Sequence, residues 1–188
     1  MKTQFDIEQV LEEGRLRNEL DYERALIADR KLRVLCKENF RLKPVRKKLR
    51  DLIEYYEDKN WSSKSVVSEV KIKESDLAEL IAEKERQFVQ RRKQLIKIQL
   101  KKLELNQQHL MILLGHTSKT YMSELMNGIS PFTLNDLVVI NRLLKIDLTD
   151  LVPITIPQKQ RVKIRKSIQV IGTSKIKLSA DDFDLVIA

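Results

Sequence analysis

The chain has few cysteines, glycines, prolines and aromatic residues, and each shortage excludes a class of protein. Its 188 residues include one cysteine, 4 glycines, 4 prolines and 5% aromatic residues. Because Cys36 has no second cysteine to pair with, internal disulfides are excluded, and a reducing cytoplasm is the expected environment. The few glycines and prolines predict few long loops, so we expect a soluble protein that is mainly α-helical.

Long hydrophobic runs are also absent. No apolar stretch approaches the length that spans a bilayer, and the N-terminus lacks the apolar segment of a secretory signal. What the chain has in excess is positive charge, because 36 Lys and Arg against 27 Asp and Glu give a net charge of +9. This excess favours a polyanionic partner, either nucleic acid or an anionic membrane, and does not by itself choose between them.

The residue patterns of catalysis and of metal binding are missing. The chain contains no glycine-rich phosphate loop, no nucleophile elbow and no paired-carboxylate signature. His109 and His116, with a single cysteine, give no zinc-ligand spacing. The acidic group Asp181, Asp182 and Asp184 lacks the spacing and the closing glutamate of a calcium loop. We therefore expect neither an enzyme nor a bound cofactor or metal.

The first third of the chain predicts three amphipathic helices, over residues 1–17, 19–38 and 44–59. In the last of these, apolar residues recur at helical spacing from Val45 to Tyr56. We interpret residues 1–60 as an N-terminal helical bundle.

A long helix is predicted to follow this bundle. Residues 60–74 interrupt the helical pattern, which then runs from Asp76 to Glu104, either as one long helix or as two helices that meet near Glu85. We assign 61–87 to a linker and connecting helix. The part after Glu85 is strongly basic, which is typical either of a solvated helix face or of a face that contacts phosphates.

The stretch Leu105–Gly128 predicts two short helices separated by a glycine. Asn106 can cap the first helix, whose apolar stripe is Leu110, Leu113 and Leu114, and Gly115 ends it. Ser118 or Thr117 can cap the second helix, and Met122, Leu125 and Met126 are its inward positions. A further helix, capped by Thr133 or Asn135, would support the pair through Leu137, Ile140 and Leu144.

Such a pair is typical either of an ordinary helical hairpin or of a helix-turn-helix that binds DNA. Three features favour DNA binding, and the first is the strongly basic helix just upstream. The outward face of the second helix carries polar residues that can reach phosphates or base edges, namely Lys119, Thr120, Tyr121 and Ser123. The first helix begins with the amides of Gln107 and Gln108, beside backbone N–H groups that attract phosphate.

The C-terminal segment, 154–188, has a different period. Arg161–Val170 and Ser174–Leu178 alternate apolar and polar residues, Gly172-Thr173 can turn between them, and Phe183, Leu185 and Ile187 alternate again. This pattern predicts a small β-tail with an edge that could pair with another chain.

At the residues already quoted, the sequence resembles the Xre/Cro-like helix-turn-helix family, and more closely the HigA-type antitoxins of bacterial toxin–antitoxin operons. The segments LNQQHLMILLG, SKTYMSELMNG and FTLNDLVVINRLLKI follow the order of helix, glycine, recognition helix, Asn-Gly and support helix that is usual in that family. The resemblance covers about Leu95–Val152. Glu104 stands where the family often has glycine, and Ile129-Ser130-Pro131 replaces its usual basic residues.

The resemblance implies a five-helix lambda-repressor-like helix-turn-helix domain at 88–153. It also implies a cytoplasmic homodimer that represses its own operon by binding operator DNA, and that binds and neutralises an mRNA-cleaving toxin protein. No membrane partner is expected. By position, Lys119, Thr120 and Ser123 would face the major groove, and Gln107, Ser118, Tyr121 and Asn127 would hold phosphates. The full set of candidate DNA-binding residues is Gln107, Gln108, Thr117, Ser118, Lys119, Thr120, Tyr121, Ser123 and Asn127.

Two alternatives remain open from the sequence. The protein could be an interaction module that sequesters a partner, because the N-terminal bundle and the tail are large relative to the predicted DNA-binding unit. It could also be a free-standing or phage-type regulator with no toxin.

Overall fold

The computed structural model describes residues 5–62, 68–153, 156 and 158–172, and these residues are mainly helical, as predicted. One short 3₁₀ turn, Phe40–Leu42, precedes the third helix. The α-helices of the described residues are α1 Ile7–Glu13, α2 Glu19–Leu35, α3 Lys43–Asn60, α4 Glu69–Lys102, α5 Gln107–Leu113, α6 Lys119–Asn127, α7 Leu134–Leu144, α8 Leu148–Leu151 and α9 Gln158–Ile171.

Helices α1 to α3 enclose the first of two apolar cores. Local rules identify the ends of the first two helices: Asp6 caps α1 through its side chain, Gly14 ends it in the left-handed conformation, and Asn18 caps α2. The buried side chains of this core are Ile7, Val10, Leu16, Ala25, Ala28, Leu32, Cys36, Leu42, Leu49, Ile53 and Ile129. Cys36 is thus a packing residue.

Helix α4 is one continuous helix of 34 residues. It has no break near Glu85, and it begins at Glu69, so the predicted interruption over 60–74 is wrong for its last six residues. The reason is local, since the Ser68 hydroxyl accepts the Lys71 N–H at 3.3 Å and caps the helix earlier than the apolar pattern suggests.

Side-chain contacts fix α4 along the N-terminal helices. The buried carboxylate of Glu19 accepts hydrogen bonds from Tyr56 Oη at 2.9 Å, Trp61 Nε1 at 3.1 Å and Ser75 Oγ at 3.3 Å. Further along, the Arg24 guanidinium binds both oxygens of Glu85. Because these contacts join α2 to α4 at two positions along α4, this helix packs as part of the bundle.

The second core lies between the C-terminal half of α4 and helices α5 to α8. Its buried side chains are Ile96, Leu100, Leu110, Met111, Met122, Leu125, Met126, Phe132, Leu137, Ile140, Leu144, Ile146 and Leu151. The inward positions predicted for α6 and α7 are confirmed. In α5 the prediction is wrong at Leu113, which is 47% exposed, whereas Met111 is buried.

One residue links the two cores. Ile129, one position beyond the glycine that ends α6, is 5% exposed and belongs to the core of α1 to α3. The chain therefore leaves α6 and immediately contributes a side chain to the N-terminal bundle. Consequently the bundle and the α5–α6 pair share an interface.

The predicted β-tail is contradicted where the chain is described. Residues 158–171, which include Arg161–Val170, form the helix α9 instead of a strand. Alternation breaks at Lys166, and the half-buried pair Ile164 and Ile168 is spaced by four residues, which is a helical period. The other predicted strands, Ser174–Leu178 and Phe183–Ile187, lie outside the described residues.

Candidate nucleic-acid interface

Helix α5 begins at a reciprocal pair of hydrogen bonds. Asn106 Oδ1 accepts the backbone N–H groups of Gln108 at 2.9 Å and His109 at 3.0 Å, and His109 Nδ1 accepts the Asn106 N–H at 3.3 Å. His109 is therefore a capping residue. Gln107 is half-buried and Gln108 is exposed at this end.

The connection between α5 and α6 turns at Gly115. Its φ of 76° is a left-handed conformation, which glycine adopts without a Cβ penalty. The turn is closed by the His116 N–H, which donates to Met111 O at 2.9 Å. Helix α6 then begins where predicted, because Ser118 Oγ accepts the Tyr121 N–H at 3.1 Å.

Three buried side chains, Met122, Leu125 and Met126, hold α6 on the second core and fix which face points outward. Its N-terminal end is open. Thr117, Ser118 and Lys119 are exposed. Thr120, Tyr121 and Ser123 are half-buried. Of the residues predicted to face the groove, Lys119 is thus exposed at the N-terminal end of a rigidly packed helix, and Thr120 and Ser123 are partly accessible.

A polar cluster that the sequence analysis missed supports this end. The buried carboxylate of Asp136 accepts the Thr133 N–H at 2.9 Å with one oxygen and lies 3.1 Å from His116 Nε2 with the other. The His116 ring meets the Tyr121 ring edge to face, at 5.2 Å between centroids. The α5–α6 turn, the start of α7 and Tyr121 are thereby fixed to one another.

Asn127, at the far end of α6, is engaged within the chain. Its Nδ2 donates to Ser123 O at 2.7 Å, its Oδ1 accepts from Lys93 Nζ at 2.6 Å, and its backbone O accepts from Lys31 Nζ at 3.1 Å. A phosphate contact by this side chain would have to replace those partners. Lys93 brings a cation to the same place, and its spacing from Lys97 and Lys101 on α4 is the signal that could have identified it.

Arg92 lies in the basic part of α4, which is predicted to be either a solvated face or a face that contacts phosphates, but it belongs to neither. It is 3% exposed, donates to Leu151 O at 3.1 Å and lies over the rings of Phe88 and Phe132. Burial lowers the pKa of its guanidinium to about 10, so it remains charged at neutral pH. Arg92 is a structural residue and does not face a duplex.

Acidic groups flank the middle of α6. Burial raises the pKa of Glu124, as does the nearby carboxylate of Glu8 on α1, while a hydrogen bond with Ser130 opposes the shift. Burial also raises the pKa of Tyr121, with Asp136 and Glu8 adding to it. Because these negative charges repel phosphates, the surface that an anionic partner can approach is concentrated at the N-terminal end of α6.

The described residues contain no candidate for a membrane-spanning helix or a metal site. None of the described helices has the length and apolar character that a membrane crossing needs. The same residues hold no group of three or more His, Cys, Asp or Glu side chains that could bind a metal ion. No family model, curated protein or solved structure matches the chain.

Proposed function

We propose that this protein is a sequence-specific DNA-binding transcriptional regulator whose α5–α6 pair acts as a helix-turn-helix, with α6 entering the major groove. The observation that carries the proposal is the exposed N-terminal end of α6, where Thr117, Ser118 and Lys119 project from a helix held by three buried side chains. A DNA-reading helix needs this combination, because a rigid scaffold must present donors and acceptors to base edges.

The proposed role of each residue follows from its position in the α5–α6 pair. Lys119, Thr120 and Ser123 contact base edges, whereas Gln107, Gln108, Thr117, Ser118 and Tyr121 contact the sugar-phosphate backbone. At the C-terminal end, Lys93 meets a phosphate more readily than Asn127, because the ammonium carries a charge and the side-chain amide already binds Ser123 and Lys93.

A dimer is part of the proposal. Two copies of α6 would enter successive major grooves roughly 34 Å apart on a palindromic site. About five or more phosphate contacts across the dimer would give a slope of log K against log salt of about −4 or steeper.

The narrower role, an antitoxin that represses its own operon and neutralises an mRNA-cleaving toxin, rests on the resemblance of LNQQHLMILLG, SKTYMSELMNG and the segment after them to HigA-type chains. The second candidate is a protein-interaction module in which the N-terminal bundle sequesters a partner. The contact of Ile129 with the bundle core supports this second candidate, because a partner that binds the bundle would also affect the position of α6.

The test is selection of the full chain on a library of random-sequence duplexes, followed by measurement of the dissociation constant for the enriched site and for a scrambled site. We expect an inverted repeat with half-sites about one helical turn apart, and a preference over the scrambled site of about a thousandfold or more. Failure to enrich any sequence, together with a flat salt dependence, would contradict the proposal.

A further inference from the structure

A cleft of about 50 Å³ lies where the N-terminal bundle meets the end of α6. Its floor is apolar and includes Ala28 of α2 and Ala82, Phe88 and Val89 of α4. Gly128 and Pro153 close it from the side of the second core. The cleft is open to solvent, so a ligand could enter without unfolding either half.

The cations at this cleft differ in their partners. Arg24 is bound to Glu85, and Arg86 is bound to Glu83 at 2.6 and 2.7 Å. The hydrogen bonds from Arg86 lower the pKa of Glu83 to about 2, so that carboxylate is ionised and paired with Arg86.

Lys31 is the exception among the cations that line the cleft. Its ammonium donates to Asn127 O at 3.1 Å, and no carboxylate of the described residues lies within ion-pairing distance of it. Burial is the main cause that lowers its pKa to about 8; the positive charges of Arg86, Lys93 and Arg92 contribute, and the carboxylate of Glu83 opposes the shift. A lysine ammonium has three N–H donors, so Lys31 can still donate to an anion in the cleft.

We propose that this cleft binds a small organic anion, a carboxylate on a short aliphatic chain, with the carboxylate on Lys31 and the chain on the apolar floor. Charge and shape select this chemistry. An anion would form a direct ion pair with Lys31, which no carboxylate of the described residues does, whereas the apolar floor gives no partner to the oxygens of a fully polar ligand. Because the cleft measures only about 50 Å³, the chain is short and the carboxylate sits at the mouth.

The test uses butyrate as the probe and the full-length protein labelled at the alanine methyl groups. We expect saturable NMR shifts of the Ala28 and Ala82 methyls with butyrate, and no saturable shift with n-butylammonium or n-butanol at the same concentrations. The three probes share one chain and differ only in the head group, so this comparison needs no variant. Equal effects of butyrate and butanol would overturn the proposal, because the ammonium would then play no part.

Two variants sharpen the test. Lys31→Met keeps the length of the side chain and removes its charge, and we expect it to raise the butyrate dissociation constant by about tenfold or more. Lys48→Met, at an exposed lysine of α3, is the matched control and should leave it unchanged. Butyrate should also raise the pKa of the Lys31 amine in the wild type, which a purely structural role would not produce.

An unchanged butyrate affinity in Lys31→Met, with a native spectrum outside the cleft, would overturn the assignment. None of these measurements contains DNA, so failure here would leave the proposed DNA-binding function standing, and failure of DNA binding would leave this site standing.

Discussion

At the scale of single residues, buried charges have the largest effects. Arg92 lies on the aromatic faces of Phe88 and Phe132 and donates to Leu151 O at 3.1 Å, which joins α4 to the end of α8. Arg92→Ala removes that hydrogen bond and leaves a cavity, so we expect the free energy of unfolding to fall by roughly 3 kcal/mol. Urea denaturation measures it.

The matched control is Arg142→Ala, at an exposed arginine of α7, where a change within about 0.5 kcal/mol is expected. If Arg92→Ala left stability unchanged and instead weakened binding to every DNA sequence alike, Arg92 would be a phosphate contact after all.

A second prediction at this scale concerns Lys31 and the dependence of the free energy of unfolding on pH. Its pKa is about 8 in the folded chain, against about 10.4 for an unperturbed lysine. Between these values the unfolded chain binds more protons, so stability rises with pH, and Lys93, whose pKa burial also lowers, adds to the same trend.

The wild type should therefore become more stable in urea from pH 8 towards pH 10, and Lys31→Met should show a smaller rise. Above pH 10 the raised pKa values of Tyr22 and Tyr56 act in the opposite direction, which bounds the usable window. Identical slopes in the two proteins would contradict the assignment.

At the scale of elements, the end of α4 carries strain. Glu104, just beyond the helix, has a φ of 56°, in the left-handed region that costs a residue with a Cβ about 1–2 kcal/mol. Glu104→Gly should relieve most of this and raise the free energy of unfolding by about 0.5–1 kcal/mol in urea titrations, after the greater freedom of glycine in the unfolded chain is counted.

Glu79→Gly provides the control for that substitution. Glu79 is exposed in the middle of α4, where glycine should destabilise the helix by about 1 kcal/mol. Loss of stability in both variants would show that Glu104 is not strained.

Elements whose ends depend on near neighbours could be predicted from the sequence. Asn106 and Ser118 accept hydrogen bonds from backbone groups two or three residues away, and the turn at Gly115 depends only on the φ of that residue. The start of α5, the turn and the start of α6 can therefore be predicted from a few neighbouring residues. The open end of α6 followed from the same patterns, because apolar spacing fixed its inward face.

What depends on distant contacts could not be predicted. Lys31 reaches Asn127 across 96 positions in the chain, and no local rule pairs them. The burial of Arg92 depends on two aromatic rings and a carbonyl brought together only by the second core. The strand predicted over α9 is wrong because the alternation is too short for a strand period. The alternation from Val162 to Ile164 ends at Lys166, whereas the spacing of Ile164 and Ile168 is helical.

At the scale of the whole molecule, the N-terminal bundle and the helices of the second core should behave as one body. Helix α4 contributes to both halves, the pair Arg24 and Glu85 joins it to α2, and Ile129 lies in the core of α1 to α3. We therefore expect one cooperative unfolding transition.

The single tryptophan makes this measurable. Trp61 lies in the bundle, where its Nε1 donates to Glu19, so its fluorescence reports the N-terminal half, whereas far-UV circular dichroism reports all helices. The two midpoints should coincide in urea. A tryptophan transition that precedes or follows the loss of helix would show that the halves unfold independently.

The proposed function depends most directly on the open end of α6, and one ratio tests it. For a duplex enriched by selection and for its scrambled counterpart, dissociation constants are measured with the wild type, with Lys119→Ala and with the control Lys48→Ala. If Lys119 contacts a base, the preference for the enriched site falls by about tenfold in Lys119→Ala and is unchanged in Lys48→Ala. A wild-type preference that survives Lys119→Ala intact, or a loss that is equal for both duplexes, would contradict the account.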